Sequence, residues 1–352
     1  LVGSEMCIRD SLSSGFFRFV LTRFLLIIPT VFILVTIVFF VMRATGDPIS
    51  AAMGGRLTPE ELQRRIHAAG YDRPLVVQYL DYLGGLLRGD LGTTLTDNQP
   101  VTTILTRYGA ATFELAFLSL IVALIVGIGL GRLAARRRDH AADAGIRVFA
   151  ILCYATPVFF LGLMLKLVFA VWLNVLPPSG RSSFASDMQF QRLVSPTGFY
   201  IIDAFQLGDM SVLVDVLRHA VLPALALGLL TAGVFIRLVR TNVISTYTSG
   251  YVEAARSRGV SEGRLLSKHA WRPAMIPIIT VMGMQIALML AGAVLTETTF
   301  EWKGLGFMLS QYLKQRDFVA VQGIVILIAI IVAVVNFIVD VISALIDPRV
   351  RY

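Results

Sequence analysis

Long apolar runs alternate along this chain with short polar connections, many of them basic. Six runs are long enough to cross about 30 Å of hydrocarbon at about 1.5 Å per helical residue. They fall at 22–42, 110–132, 146–172, 220–240, 274–296 and 319–345. The third is long for one span and is interrupted by Pro157, which frees a helical carbonyl that then needs another partner or a wet cavity. The pattern predicts an all-α polytopic membrane protein with about six transmembrane helices.

The connections assign the sides. The stretch 132–147 carries Arg132, Arg136, Arg137, Arg138 and Arg147 against Asp139 and Asp143. The stretch 237–272 carries Arg237, Arg240, Arg256, Arg258, Arg264, Lys268 and Arg272 against Glu253 and Glu262. From 43 to 108, by contrast, seven basic residues meet seven acidic ones. Lysine and arginine bias sets orientation, so the two basic connections are expected in the cytoplasm. Both termini are then expected inside, with Arg18 and Arg23 at one end and Arg349 and Arg351 at the other.

Composition agrees. Charged residues make up 15% of the 352, against roughly a quarter in a soluble domain, and the mean hydropathy is +0.75. The net charge of +8 reads as membrane topology, not nucleic-acid binding. Cys153 lies inside an apolar run and Cys7 in the leader, which argues against a disulfide framework. His67, His140, His219 and His269 show no metal-ligand spacing, so neither a metal nor a cofactor is expected. The first fourteen residues lack the apolar core of a cleaved signal peptide. The stretch 1–17 reads as a short leader, native or not, ahead of a membrane domain at 18–352.

The outer segment 43–108 is the largest polar piece. Thr58-Pro59-Glu60-Glu61 has the marks of a helix start: a capping hydroxyl, proline at the first position and glutamate three after the cap. Gly70 ends that helix; Pro74 opens another that stops near Gly89. The second outer segment, about 173–217, reads as loop with a short helix near its end.

The segment 241–272 holds the most informative connection. Ala254 and Ala255 favour helix, and Gly259 supplies a left-handed stop. A second helical stretch starts near Ser261, with Glu262 in its first turn and Lys268 near its end. A small-residue helix closed by a glycine turn makes a compact knob that can enter a groove on a partner. From composition alone an ordinary basic connecting loop remains equally open.

Glu253-Ala254-Ala255 followed by Gly259, on a basic loop before the penultimate span, resembles the coupling loop of binding-protein-dependent ABC importers. The chain after about residue 18 is similar to the B-type permease subunits of dipeptide/oligopeptide importers. The stretches that carry this are GYDRPLVVQYL at 70–80, RGDLGTTL at 88–95, ATFELA at 111–116, ATPVFF at 155–160, RHAVLPAL at 218–225, ETTFEWKGLG at 297–306 and NFIVDVISALIDPRVRY at 336–352. Lys303 stands where that subfamily often has proline. The resemblance implies a type I permease fold in a bacterial or archaeal cytoplasmic membrane. It implies as partners a second, C-type permease, two cytoplasmic ATPase subunits, an extracytoplasmic binding protein and membrane lipid. Glu253, Ala254, Ala255, Arg256, Arg258 and Gly259 would then couple the permease to the ATPases. The cargo would be dipeptides or oligopeptides, with nickel chelates or glutathione as alternatives.

The chain is not expected to be an enzyme. A phosphate-cradling loop needs Gly-Lys-Ser/Thr, and there is no Gly-Lys pair; the lysines are Lys166, Lys268, Lys303 and Lys314. A stand-alone secondary transporter would show more charge deep in its spans, and an intramembrane hydrolase would need a catalytic pair. Thr156 and Pro157 are candidates for a hinge or the pathway lining, against a static kink. Glu114 and Lys166, each roughly 7–9 Å inside the outer end of its span, are expected to form an intramembrane ion pair, with snorkelling as the competitor. Asp340 is expected to meet an inner-end arginine such as Arg237.

Overall fold

A computed structural model describes residues 2–55 and 57–346, without the side chains of 2–15, 276, 280, 287, 291 and 346. The described chain is helical, with one isolated antiparallel bridge between Thr93 and Pro100. The helix α1 (Val2–Ala44) is followed by the short α2 (Pro48–Met53), α3 (Pro59–Ala68) and α4 (Leu75–Leu87). Next come α5 (Val101–Arg136), α6 (Ala141–Ala155) and α7 (Val158–Leu165), the last running into a π-helical turn at Lys166–Trp172. The short α8 (Phe184–Phe190) and α9 (Tyr200–Leu207) precede the long α10 (Met210–Tyr247). Then α11 (Gly250–Ser257) and α12 (Glu262–Arg264) lead through a second π-helical turn, Leu265–Ala270, into α13 (Trp271–Phe300). Two helices follow, α14 (Leu305–Lys314) and α15 (Phe318–Ile346).

Four helices are long and apolar enough to cross a membrane: Phe16–Ala44, Val101–Arg136, Met210–Tyr247 and Phe318–Leu345. Two bent pairs complete the set, Ala141–Ala155 with Val158–Trp172 at 108° and Glu262–Met275 with Pro277–Leu290 at 44°. Six crossings result when each bent pair counts as one. The helices outrun the apolar runs because local caps, not the hydrocarbon boundary, start them. Asp209 Oδ1 accepts from Ser211 N at 2.8 Å, so α10 begins ten residues before its apolar run. Pro100 stands at the corresponding place before α5.

The centre of the bundle is α10: 61% of its most apolar window is buried, against 11% for α1. Glycines let α5 and α10 approach closely. A Cβ at Gly127 would lie 2.5 Å from Phe235 Cβ, and one at Gly228 would lie 2.7 Å from Ser119 O. At one end of this pair Asp143 is fully buried and takes a bidentate hydrogen bond from Arg240, Nε to Oδ1 at 2.6 Å and Nη2 to Oδ2 at 2.7 Å. A fork of that kind fixes α6 against α10.

The helices of the 43–108 segment start and stop as the sequence predicts. Thr58 accepts from Glu61 N, Gly70 has φ 71°, and Gly89 beyond α4 has φ 79°. Three expectations change. The 173–217 segment contains two short helices, α8 and α9. The helix that starts near Ser261 does not stop near Lys268 but continues through the π-helical turn into α13. Asp340 pairs with Arg23 at 3.3 Å, because α15 packs on α1; Arg237, on α10 beside α6, lies over the Tyr154 ring. Arg349 and Arg351 lie outside the described residues.

Candidate functional site

The knob is built by a helix that its own glycine closes. Ser249, with extended backbone, precedes α11. At the other end Gly259 adopts φ 80°. Val260 N donates to Ala255 O at 3.3 Å, and Gly259 N donates to Arg256 O at 2.9 Å. This is the Schellman pattern, in which a left-handed residue lets the chain turn back and satisfy the last carbonyls of the helix. Val252 and Leu265 are both fully buried and anchor the two arms of the knob to the bundle.

The opposite face is open. Glu253, Ala254, Arg258 and Gly259 are exposed, and Ala255 and Arg256 are half-buried. Nothing lies within 4 Å of where a Gly259 Cβ would stand. The Glu253 carboxylate has no partner among the described residues. The clamp is Glu262 instead. Its carboxylate accepts from Arg256 Nε at 2.8 Å and from the Tyr247 hydroxyl, while the guanidinium lies 4.9 Å over the Tyr247 ring. Glu262 thereby raises the Arg256 pKa above its ordinary value. One carboxylate thus joins α10, α11 and α12.

Thr156 and Pro157 form the break between α6 and α7. The residue before a proline is forced out of helical geometry, and Thr156 sits at φ −80°, ψ 127°. Its amide and hydroxyl both return to Leu152 O, at 3.1 and 2.6 Å. Thr156 is half-buried and Pro157 exposed. The 108° bend is a change of direction well beyond an ordinary kink.

Glu114 and Lys166 do not pair. Glu114 meets Arg181: Nη2 donates to Oε2 at 2.5 Å, and Ile201 N donates to Oε1 at 2.8 Å. Both ionic side chains are buried, and the guanidinium lies 3.7 Å over the Tyr200 ring. Lys166 Nζ instead donates to Thr299 O at 2.9 Å, above the Phe300 ring. The physical reason is local. The last carbonyls of α13 lack helical donors and carry the negative end of its dipole, which suits a cation. Glu114 then takes the guanidinium that the loop after the π-helical turn folds over it.

Glu297 and Asp317 are buried acids outside the sequence candidates. Glu297, fully buried, accepts from Thr112 Oγ1 at 2.7 Å and Phe307 N at 2.9 Å. The Gly304-Leu305-Gly306 turn wraps it so closely that a Cβ on Gly304 would lie 2.4 Å from Oε1. Glu297 stands one residue beyond the predicted fifth run. Asp317, also buried, accepts from Leu95 N and Thr96 N at 2.6 and 2.9 Å, joining the 43–108 segment to the start of α15. Glu297 opens the ETTFEWKGLG stretch; nothing local marked Asp317.

A helical bundle of up to six crossings, with two broken helices and an exposed knob on a polar connection, defines a membrane transport subunit. Comparison with known proteins gives its family. Residues 127–352 match the family described as binding-protein-dependent transport system inner membrane component, and residues 16–115 match the N-terminal region of the same membrane components. The chain belongs to this family and is a multi-pass permease subunit of an ABC importer in the cytoplasmic membrane. It is 37% identical over 336 residues to the di/tripeptide transport system permease protein DppB of Pseudomonas aeruginosa, covering 95% of this chain and 98% of that one. The dipeptide transport system permease protein DppB of Escherichia coli K12 is 37% identical over 338 residues, covering 95% and 99%. Among solved structures, a chain of the inward-facing MetNI methionine ABC transporter superposes with a TM-score of 0.51 at 14% identity, covering 70% of this chain and 97% of that chain. That likeness concerns the fold.

Proposed function

We propose that this chain forms half of the pathway for dipeptides and oligopeptides and is driven by separate ATPase subunits through the knob at 251–262. The observation that carries the reading is the knob itself. Its glycine-closed helix presents Glu253, Ala254 and Arg258 outward while Val252 is fully buried beneath them, the form expected of a rigid plug for a partner's groove. The partners that complete the assembly are a second, C-type permease, two ATPases and an extracytoplasmic binding protein. The relatives named for dipeptide and di/tripeptide transport support the cargo. In this reading 132–147 and 241–272 lie in the cytoplasm with both termini, and 43–108 lies outside. The break at Thr156-Pro157 serves as the hinge between α6, packed on α10, and α7, packed on both α10 and α13.

The test is uptake of a labelled dipeptide by cells lacking only this gene, with and without the chain restored. Restored, ATP-dependent uptake is expected. Restored uptake of a nickel chelate or glutathione, with none of dipeptide, would replace the cargo while keeping the permease.

A further inference from the structure

Between the outer end of α1, the helix α4 and the first turns of α15 lies a cavity of about 330 Å³. Four of its lining side chains carry a buried polar atom without a hydrogen-bond partner among the described residues: Arg43 Nε, Gln78 Oε1, Tyr82 Oη and Gln322 Nε2. Gln78 and Gln322 are each 8% exposed. Native proteins leave few such groups, so four around one cavity point to an occupant.

The four are held in place. Gln78 Nε2 donates to Tyr71 O at 2.9 Å and Arg73 O at 2.8 Å, which leaves its oxygen as the free acceptor. The Tyr82 ring stacks on Phe39 at 5.4 Å, and burial pushes the phenol up to about 12, so the hydroxyl stays a neutral donor. The Tyr82 hydroxyl and the Gln322 amide lie side by side without closing a well-formed hydrogen bond. The Arg43 guanidinium lies over Phe39 at 5.1 Å and Tyr71 at 4.4 Å and has no carboxylate partner among the described residues. Asp81 is engaged with Arg73, and Asp90 caps Gly92 N. The free groups are therefore three donors, one of them cationic, and one acceptor, with the Asp90 carboxylate nearby. That set matches an oxyanion joined to an ammonium.

The apolar outer face of α4 favours one source. In α4 the residues Gln78, Asp81, Tyr82 and Gly85 line the cavity at helical spacing. On the opposite face Val76, Leu80 and Leu87 are exposed. The helix has 13 residues, too few to span a bilayer. The Tyr79 ring packs on Phe39 and Phe40, and its hydroxyl meets Thr36 Oγ1 at 2.6 Å. An exposed apolar face along the end of a spanning helix belongs at the bilayer surface.

We propose that this cavity binds a zwitterion, Arg43, Tyr82 and Gln322 taking its oxyanion and Gln78 its ammonium, and that a phospholipid headgroup supplies it. The test uses the purified full chain in detergent, washed free of loose lipid and then offered phosphatidylethanolamine. Native mass spectrometry reads retained lipid; free glycyl-glycine, titrated into lipid-free protein, reads the soluble source by thermal shift. Wild type is expected to retain the lipid. Arg43→Met and Gln322→Leu are each expected to weaken retention by about tenfold, the loss of one good polar contact, with monodisperse elution confirming that they fold. A thermal shift with glycyl-glycine that Arg43→Met abolishes, without lipid retention, would keep the site and make its ligand soluble. Equal retention by wild type and both variants, or binding of neither probe, overturns the proposal.

Discussion

Arg181 reaches from the segment between the π-helical turn and α8 to Glu114 in α5, Nη2 to Oε2 at 2.5 Å, and both side chains are buried. Arg181 Nη2 also donates to Gly198 O at 2.9 Å, and Glu114 Oε1 takes the Ile201 amide. The pair therefore latches the 173–209 segment onto the bundle. Removing one partner of a buried pair strands the other charge, at a cost of about 3–5 kcal/mol. Glu114→Gln and Arg181→Met are each expected to lower membrane abundance and melting temperature sharply. The double variant is expected to recover much of the loss. Melting curves in detergent check this; simple additivity of the two losses would contradict it. Lys166→Met, which removes only the cation from Thr299 O, is expected to behave independently of either.

The turn around Glu297 gives a steric prediction. Gly304 has φ −108°, a backbone that alanine adopts freely, so any effect of Gly304→Ala comes from the Cβ pressing on the Glu297 carboxylate. Overpacking of this kind costs about 1–3 kcal/mol. Gly129→Ala, with open space at its Cβ, is expected to be tolerated. Thermal unfolding of the two variants should separate them; equal stability would mean that the carboxylate has room to move.

Orientation is open to reporter fusions. Fusions after Gly92 and Ser195 are expected to report outside, and those after Asp139 and Glu262 inside. A fusion after Glu262 that reports outside would remove the knob from reach of any cytoplasmic ATPase.

The sequence made the spans, the outer helix caps and the glycine stop of the knob legible, because each rests on local signals: apolar length, a capping hydroxyl, a residue free to take positive φ. It misled where a partner is distant in the chain. Glu114 and Lys166 stand at matching depths, and depth alone suggested a pair. Arg181 lay in a stretch read as loop, and the carbonyls that claim Lys166 become available only once α13 ends beside it. Asp340 went to Arg23 for the same reason, since helix packing decides which inner-end arginine is near. In the knob, the clamp by Glu262 was not legible, because only the turn at Gly259 brings Glu262 back against Arg256 and Tyr247.

Coupling through the knob is the central claim, and Gly259 probes it most directly. A β-carbon at φ 80° is strained by about 1–2 kcal/mol, while the open space around it means that no clash confuses the result. Asparagine tolerates that backbone and serves as the matched control. The measurement is co-purification of the ATPase with Gly259→Val, Gly259→Asn and wild type, alongside dipeptide uptake at equal membrane abundance. Gly259→Val is expected to insert normally, bind the ATPase poorly and abolish uptake, with Gly259→Asn close to wild type. Normal uptake and normal co-purification by Gly259→Val at normal abundance would contradict coupling through this turn.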